Sequence, residues 1–125
     1  MRLVTFLCSI VFVGCISSNG NICQDDHCVC AAAEPCDHTC SPGGLDCHIQ
    51  CAPGETCDVI CAPGEECHVE ASSASHATVD CNGGIDCHVT CPAGGCTVTH
   101  CEGATCVVAC PTGAGTATGT TTSCP

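Results

Sequence analysis

"CHVEASSASHATVDC", residues 67–81, carries fourteen steps between its two cysteines, whereas from Cys47 to Cys67 and from Cys81 to Cys110 cysteines recur every four to six residues. Read in steps of about ten, the surrounding chain gives CHIQCAPGET from Cys47, CDVICAPGEE from Cys57, CHVEASSASH from Cys67, ATVDCNGGID from Ala77, CHVTCPAGG from Cys87 and CTVTHCEGAT from Cys96. A looser copy, CDHTCSPGGLD, starts at Cys36, and CVVAC at Cys106 begins the last. The unit is C-x-[VI]-x-C followed by a Gly-containing turn, and so regular a self-similarity marks a repeat architecture.

In this register the silent positions are Ala71 and Ala77. Were the two cysteines of each unit paired within their own strand, Cys67 and Cys81 would both lose their partners. If each second Cys pairs across the turn with the next first Cys, the two alanines amount to one absent bridge and nothing is orphaned. The rule predicts Cys23–Cys28, Cys30–Cys36, Cys40–Cys47, Cys51–Cys57, Cys61–Cys67, Cys81–Cys87, Cys91–Cys96 and Cys101–Cys106, with Cys110 left to Cys124.

Within C-x-[VI]-x-C, strand alternation places both cysteines and the central Ile49, Val59, Val69, Val79, Val89 or Val98 on one face. "APGE" at 52–55 and 62–65, "NGG" at 82–84 and "PAGG" at 92–95 are turn chemistry. A core of sulfur plus one branched aliphatic per unit is thin, and bridges across such short loops each contribute only about 2 kcal/mol. Stacking coils supply the missing hydrogen bonds and burial. The expected fold is therefore all-β, a short-coil disulfide-stapled β-solenoid, with a disulfide-laced up-and-down meander as the alternative.

Residues 1–20 have one basic residue, an apolar run from Leu3 to Val13 and then small and polar residues, the layout of a secretory signal peptide. The run is too short to span a membrane comfortably, so no transmembrane segment is expected. A cut after Gly20 gives a secreted protein; a cut before Cys15 would instead give a chain lipid-anchored through that thiol. Residues 21–35 break the period and read as an N-terminal cap or linker, residues 36–110 hold the repeats, and residues 111–125 read as a flexible Gly/Thr-rich tail tied by its last cysteine.

The 125 residues contain 20 Cys and 13 Asp+Glu but one Lys+Arg, which is Arg2. Loss of residues 1–20 moves the formal charge from −12 to −13 and leaves an even 18 cysteines, as complete pairing requires. Such a polyanion cannot neutralise phosphates, which excludes nucleic acid as a partner and disfavours anionic membranes. A cationic surface, or self-association through bare end strands, fits the chain better. No Asn-x-Ser/Thr acceptor is present.

A second period lies inside the first. His48, His68 and His88 are 20 residues apart, each in an acid-Cys-His triplet with Asp46, Glu66 or Asp86. Acid and imidazole share the outer face of the strand, opposite the sulfur. If one coil comprises two units, the three pairs form a ladder at about 4.8 Å spacing; if a coil is one unit, they stand about twice as far apart. Imidazole plus carboxylate suits Zn or Cu, so a divalent-metal ladder is the alternative to a purely structural role. Without metal, acid-paired imidazoles would gain charge on acidification and change the surface.

Other chemistries lack their signatures. Thiolate metal stores are rich in C-x-C and Lys, whereas Cys28-Val29-Cys30 is the single C-x-C here. There is no G-x-S-x-G elbow, and bridged sulfur is no nucleophile, so enzymatic activity is not expected. Neither Asp25-Asp26 nor Glu65-Glu66 has the spacing of a calcium-binding loop.

The repeat over residues 36–110 resembles the cysteine-stapled short-coil β-solenoids of insect antifreeze proteins, which bind ice through Thr-x-Thr rows. Thr97-Val98-Thr99 is the one such pair, the equivalent positions being His48/Gln50, Asp58/Ile60, His68/Glu70, Thr78/Asp80 and His88/Thr90, so ice binding is a minor expectation. The unit also resembles the C-x-V-x-C-x-x-G repeats of secreted or lipid-anchored bacterial proteins of myxobacterial type, which implies a compartment rather than an activity.

Overall fold

The computed structural model of the chain describes residues 15–16, 21–44, 46–100, 105–114, 116–118 and 121–124. Seven five-residue or near five-residue strands, β4 (Cys36–Thr39), β5 (Asp46–Gln50), β6 (Thr56–Ile60), β7 (Glu66–Glu70), β8 (His76–Asp80), β9 (Asp86–Thr90) and β10 (Cys96–Thr99), alternate between two sheets. β5, β7 and β9 pair in parallel in one sheet, β4, β6, β8 and β10 in the other. The first sheet extends to β3 (His27–Val29) and β11 (Thr105–Cys110), both parallel to their neighbours. Each chain neighbour thus lies in the opposite sheet, and the result is a β-solenoid of about four turns. The up-and-down meander is excluded, because it would pair consecutive strands antiparallel.

One coil is two units. Glu66 pairs with Asp46 and with Asp86, a step of 20, while the step is 21 at the N-terminal end (Cys36 with Cys57) and 19 at the C-terminal end (Cys96 with Ala77). Alternation buries Ile49, Val59, Val69, Val79, Val89 and Val98 together with the flanking cysteines, each at most 3% exposed. Turns obey local chemistry: in Ala52-Pro53-Gly54-Glu55 the glycine has φ +76° and the Glu55 N–H donates to the Ala52 carbonyl, as Pro-Gly at the centre of a type II turn requires.

The bridges follow the cross-turn rule. Cys23–Cys28, Cys30–Cys36, Cys40–Cys47, Cys51–Cys57, Cys61–Cys67, Cys81–Cys87, Cys91–Cys96 and Cys110–Cys124 are joined. Cys106 is also bridged, and Cys101, its expected partner, lies outside the described residues. The bridges line both corners of the coil, and among the described residues the one gap falls at Ala71 and Ala77, both fully buried.

Antiparallel strands flank both ends of the first sheet and the C-terminal end of the second, in which β4 is the edge at the other end. At the N-terminal end β2 (Ile22–Gln24) and β3 form a two-residue hairpin whose central Asp25 and Asp26 have φ +49° and +63°, as the twist of such hairpins demands. β1 (Cys15–Ile16) pairs with β2; it falls within the segment read as a leader, the rest of which lies outside the described residues. At the other end the Gly/Thr-rich tail carries short strands. β12 (Gly113–Ala114) turns back on β11, and β13 (Thr116–Thr118) pairs with β14 (Thr121–Ser123), which adds antiparallel to β10. Threonine runs favour strands, and Cys110–Cys124 fastens this segment over the last coil. No helix among the described residues is long and apolar enough to cross a membrane.

Candidate functional site

The outer face of the first sheet carries the His and acid rows. Because the coil step is 20 here, His48, His68 and His88 occupy adjacent strands in register, beside the row Asp46, Glu66 and Asp86. Ring centroids are 4.6 Å apart between His48 and His68 and 4.9 Å between His68 and His88, with interplanar angles of 22° and 23°. His27 extends the stack, 4.7 Å from His48 and nearly parallel to it at 4°. Four imidazoles therefore run across β3, β5, β7 and β9 until Val107 of β11 ends the row beside His88.

His27 escaped the sequence pattern for two reasons. It sits 21 rather than 20 positions before His48, and it precedes its cysteine instead of following it, so that Cys28 lies opposite Ile49. The clue available in the chain was Asp26-His27-Cys28, the same three residue types in a permuted order.

Each rung is an acid–imidazole pair. His48 Nε2 lies 3.1 Å from Asp46 Oδ2, His88 Nε2 lies 2.8 Å from Asp86 Oδ1, and His68 Nε2 lies 4.0 Å from the Glu66 carboxylate. Asp46 also reaches His27 Nε2 at 3.4 Å with its other oxygen, so it spans two rungs. These groups are one-third to one-half exposed, and pairs so exposed add little to stability. A shallow groove runs along the ladder, between the imidazoles and the parallel row Gln50, Glu70 and Thr90.

The geometry limits what the ladder can bind. Lone pairs of stacked imidazoles lie in parallel ring planes, and nitrogen ligands stand only about 2.0–2.1 Å from zinc. At the observed ring spacing an ion bridging two rungs must rotate at least one ring. Of these contacts only His27 Nε2 to Asp46 Oδ1 has hydrogen-bond geometry; Asp86 Oδ1, close to His88 Nε2 in distance, makes no hydrogen bond, and a carboxylate that accepts from Nε2 leaves the lone pair on Nδ1, the arrangement that supports a metal-ligating histidine.

The opposite sheet is chemically different. Its outer rows are Asp37, Asp58, Thr78 and Thr97, and Thr39, Ile60, Asp80 and Thr99. The Thr97/Thr99 pair therefore adjoins Thr78 and Asp80, and carboxylates break both rows. His100 is bonded through Nδ1 to Asp80 Oδ1 at 2.8 Å on this side.

Inside the solenoid, His38 takes the core position that Val59 and Val79 fill in the next two coils, and its Nε2 lies 3.2 Å from Asp26 Oδ1. Sulfurs also cluster there: Cys23, Cys28 and His38 converge, as do Cys40, Cys47 and His38, Cys81, Cys87 and Cys106, and Cys91, Cys110 and Cys124. Every cysteine in these groups is bridged, so none offers a thiolate to a metal while the chain is oxidised.

The chain matches no known protein family, no characterised protein and no solved structure. Its reading rests on the coil and the two faces just described.

Proposed function

We propose that this protein is an extracellular structural element, a rigid anionic solenoid that acts through its faces rather than by catalysis. The observation that supports this reading is the lacing: cross-turn bridges at both corners hold coils whose interior is mostly cysteine, alanine and one aliphatic residue per strand. Bridges in this number form and persist in oxidising compartments, where small-core domains depend on them. The acidic surface selects a cationic partner or surface, and antiparallel strands blunt both ends of the first sheet and the C-terminal end of the second, which leaves β4 as the edge through which coils could add to one another.

Intact mass under native and denaturing, unreduced conditions tests the reading, together with protease digestion before and after reduction. Full oxidation, no bound zinc or copper and resistance lost on reduction are expected. Free thiols carrying zinc or copper would turn the protein into a thiolate metal store and overturn the proposal.

A second reading, divalent transition-metal binding, is favoured by the four in-register imidazoles with carboxylates 2.8–3.4 Å from three of them. His27, His48, His68 and His88 would supply nitrogen, and Asp46, Glu66 and Asp86 would orient the rings or join as ligands. Zinc titration of the oxidised protein and of the His48→Gln/His68→Gln/His88→Gln variant decides it. Equal binding by both removes the ladder.

A further inference from the structure

The corner between β4 and β5 differs from those stacked on it. Cys40 and Cys47 are 7 residues apart, against 6 for Cys61–Cys67 and Cys81–Cys87, and the longer loop carries a bare Gly44. Onto this glycine the next coil sends Glu65, which is 6% exposed and whose two carboxylate oxygens are buried without a hydrogen-bond partner. From the N-terminal hairpin comes Asp26, its side chain 10% exposed. A Cβ placed on Gly44 would meet Glu65 Oε2 at 3.4 Å, Asp26 Oδ2 at 3.6 Å and the Ser41 carbonyl oxygen at 3.6 Å. Three oxygens, two of them from carboxylates, surround one small space that glycine keeps open.

The polar inventory leaves these oxygens short of positive charge. Asp26 Oδ2 accepts the Ser41 N–H at 2.9 Å, and Oδ1 takes His38 Nε2 at 3.2 Å and the Ser41 hydroxyl at 3.4 Å. A carboxylate has about four lone-pair sites, so Oδ2 retains one, and Glu65 has used none. The chain's single Lys or Arg is Arg2, outside the described residues, so no ammonium or guanidinium of the described residues can serve Glu65. A carboxylate buried without a hydrogen-bond partner is costly unless a cation meets it.

We propose that Glu65, Asp26 and the Ser41 carbonyl bind one calcium ion, which ties the N-terminal hairpin to the first two coils. The donors are all oxygen, the preference of a hard cation, and calcium tolerates irregular geometry while filling its remaining positions with water. A groove whose lining includes Asp26, Ser41 and Gly44 opens on the Asp26 side of this space. At the usual distance of about 2.3–2.6 Å the ion draws the Glu65 carboxylate toward Asp26. Neither Asp25-Asp26 nor Glu65-Glu66 is a calcium loop in sequence; the coil brings one residue of each pair to the same corner.

The test is calorimetric titration of the full oxidised chain with calcium chloride, beside thermal melts in calcium and in EDTA. One site and a higher melting temperature in calcium are expected. Glu65→Gln is expected to abolish both and to melt no lower than the parent in EDTA, because the amide removes the buried charge. Glu55→Gln, at the equivalent turn position of the other corner, is expected to bind as the parent does. Gly44→Ala puts a methyl group among the three oxygens and is expected to weaken binding at least tenfold with the bridges intact, which keeps the test decisive if Glu65→Gln fails to fold. A parent chain that shows neither heat nor melting shift overturns the proposal, as does a folded Glu65→Gln that binds like the parent.

Discussion

The turn from β7 to β8 stacks between two others and differs from them in sulfur as well as in turn conformation, since Gly54 and Gly95 have φ +76° and +93° while no residue of 71–75 has a positive φ. Below and above it, Cys51–Cys57 and Cys91–Cys96 close the corner at Cα separations of 5.8 and 5.6 Å. In the middle stand Ala71 and Ala77, yet Ala71 N–H donates to the Thr90 carbonyl at 2.9 Å, Ser75 N–H to Glu55 at 2.9 Å and Ala77 N–H to Gly95 at 3.3 Å. The hydrogen-bonded stack crosses this corner without a covalent clamp. Parallel pairing therefore shapes the coil, and the bridges act on top of it, chiefly by restricting the unfolded chain.

That contrast is open to attack. Complete reduction should have the largest effect: at roughly 2 kcal/mol for each short loop, loss of all the bridges exceeds the margin of any ordinary domain, and the strand signal in circular dichroism should vanish at 37 °C. Next comes Gly94→Ala, whose new Cβ runs into the Ser75 carbonyl at the unbridged corner. Overpacking against backbone should cost about 3 kcal/mol, read as a lower urea midpoint with the bridges intact.

Removing one bridge with Cys61→Ala/Cys67→Ala should cost about 2 kcal/mol and keep the fold, since it copies what Ala71 and Ala77 already do. Unfolding of that variant at room temperature would show the bridges to be formative after all. In the reverse direction, Ala71→Cys/Ala77→Cys should close a further bridge, visible as a mass two hydrogens lighter than the dithiol, and raise stability by about 1 kcal/mol, engineered bridges often delivering less than the loop length allows. Smallest of all, His68→Ala on the exposed ladder should shift stability by less than about 0.5 kcal/mol, so a larger loss would mean that the stack is structural.

The paired absence at Ala71 and Ala77 was enough to read the cross-turn bridges, because a correlated loss admits few pairings. The in-register His48, His68 and His88 were legible for a similar reason, since a 20-residue recurrence becomes a row once two units make one coil. His27 was hidden by the 21-residue step of the first coil, and the strand-forming tail was hidden by composition, because Gly/Thr tracts read as linker unless an open sheet edge waits beside them. The convergence of Asp26, Ser41 and Glu65 was invisible for a plainer reason: no local spacing joins residues from a hairpin, a loop and the following coil.

Strand faces, turn positions and the eight described bridges were legible in the sequence, since alternation, Pro-Gly chemistry and short-loop bridging act over a few residues. Coil length, the fourth imidazole, the end strands and the burial of Glu65 were decided only by the tertiary stack, where a one-residue change in step determines which side chain lies above which.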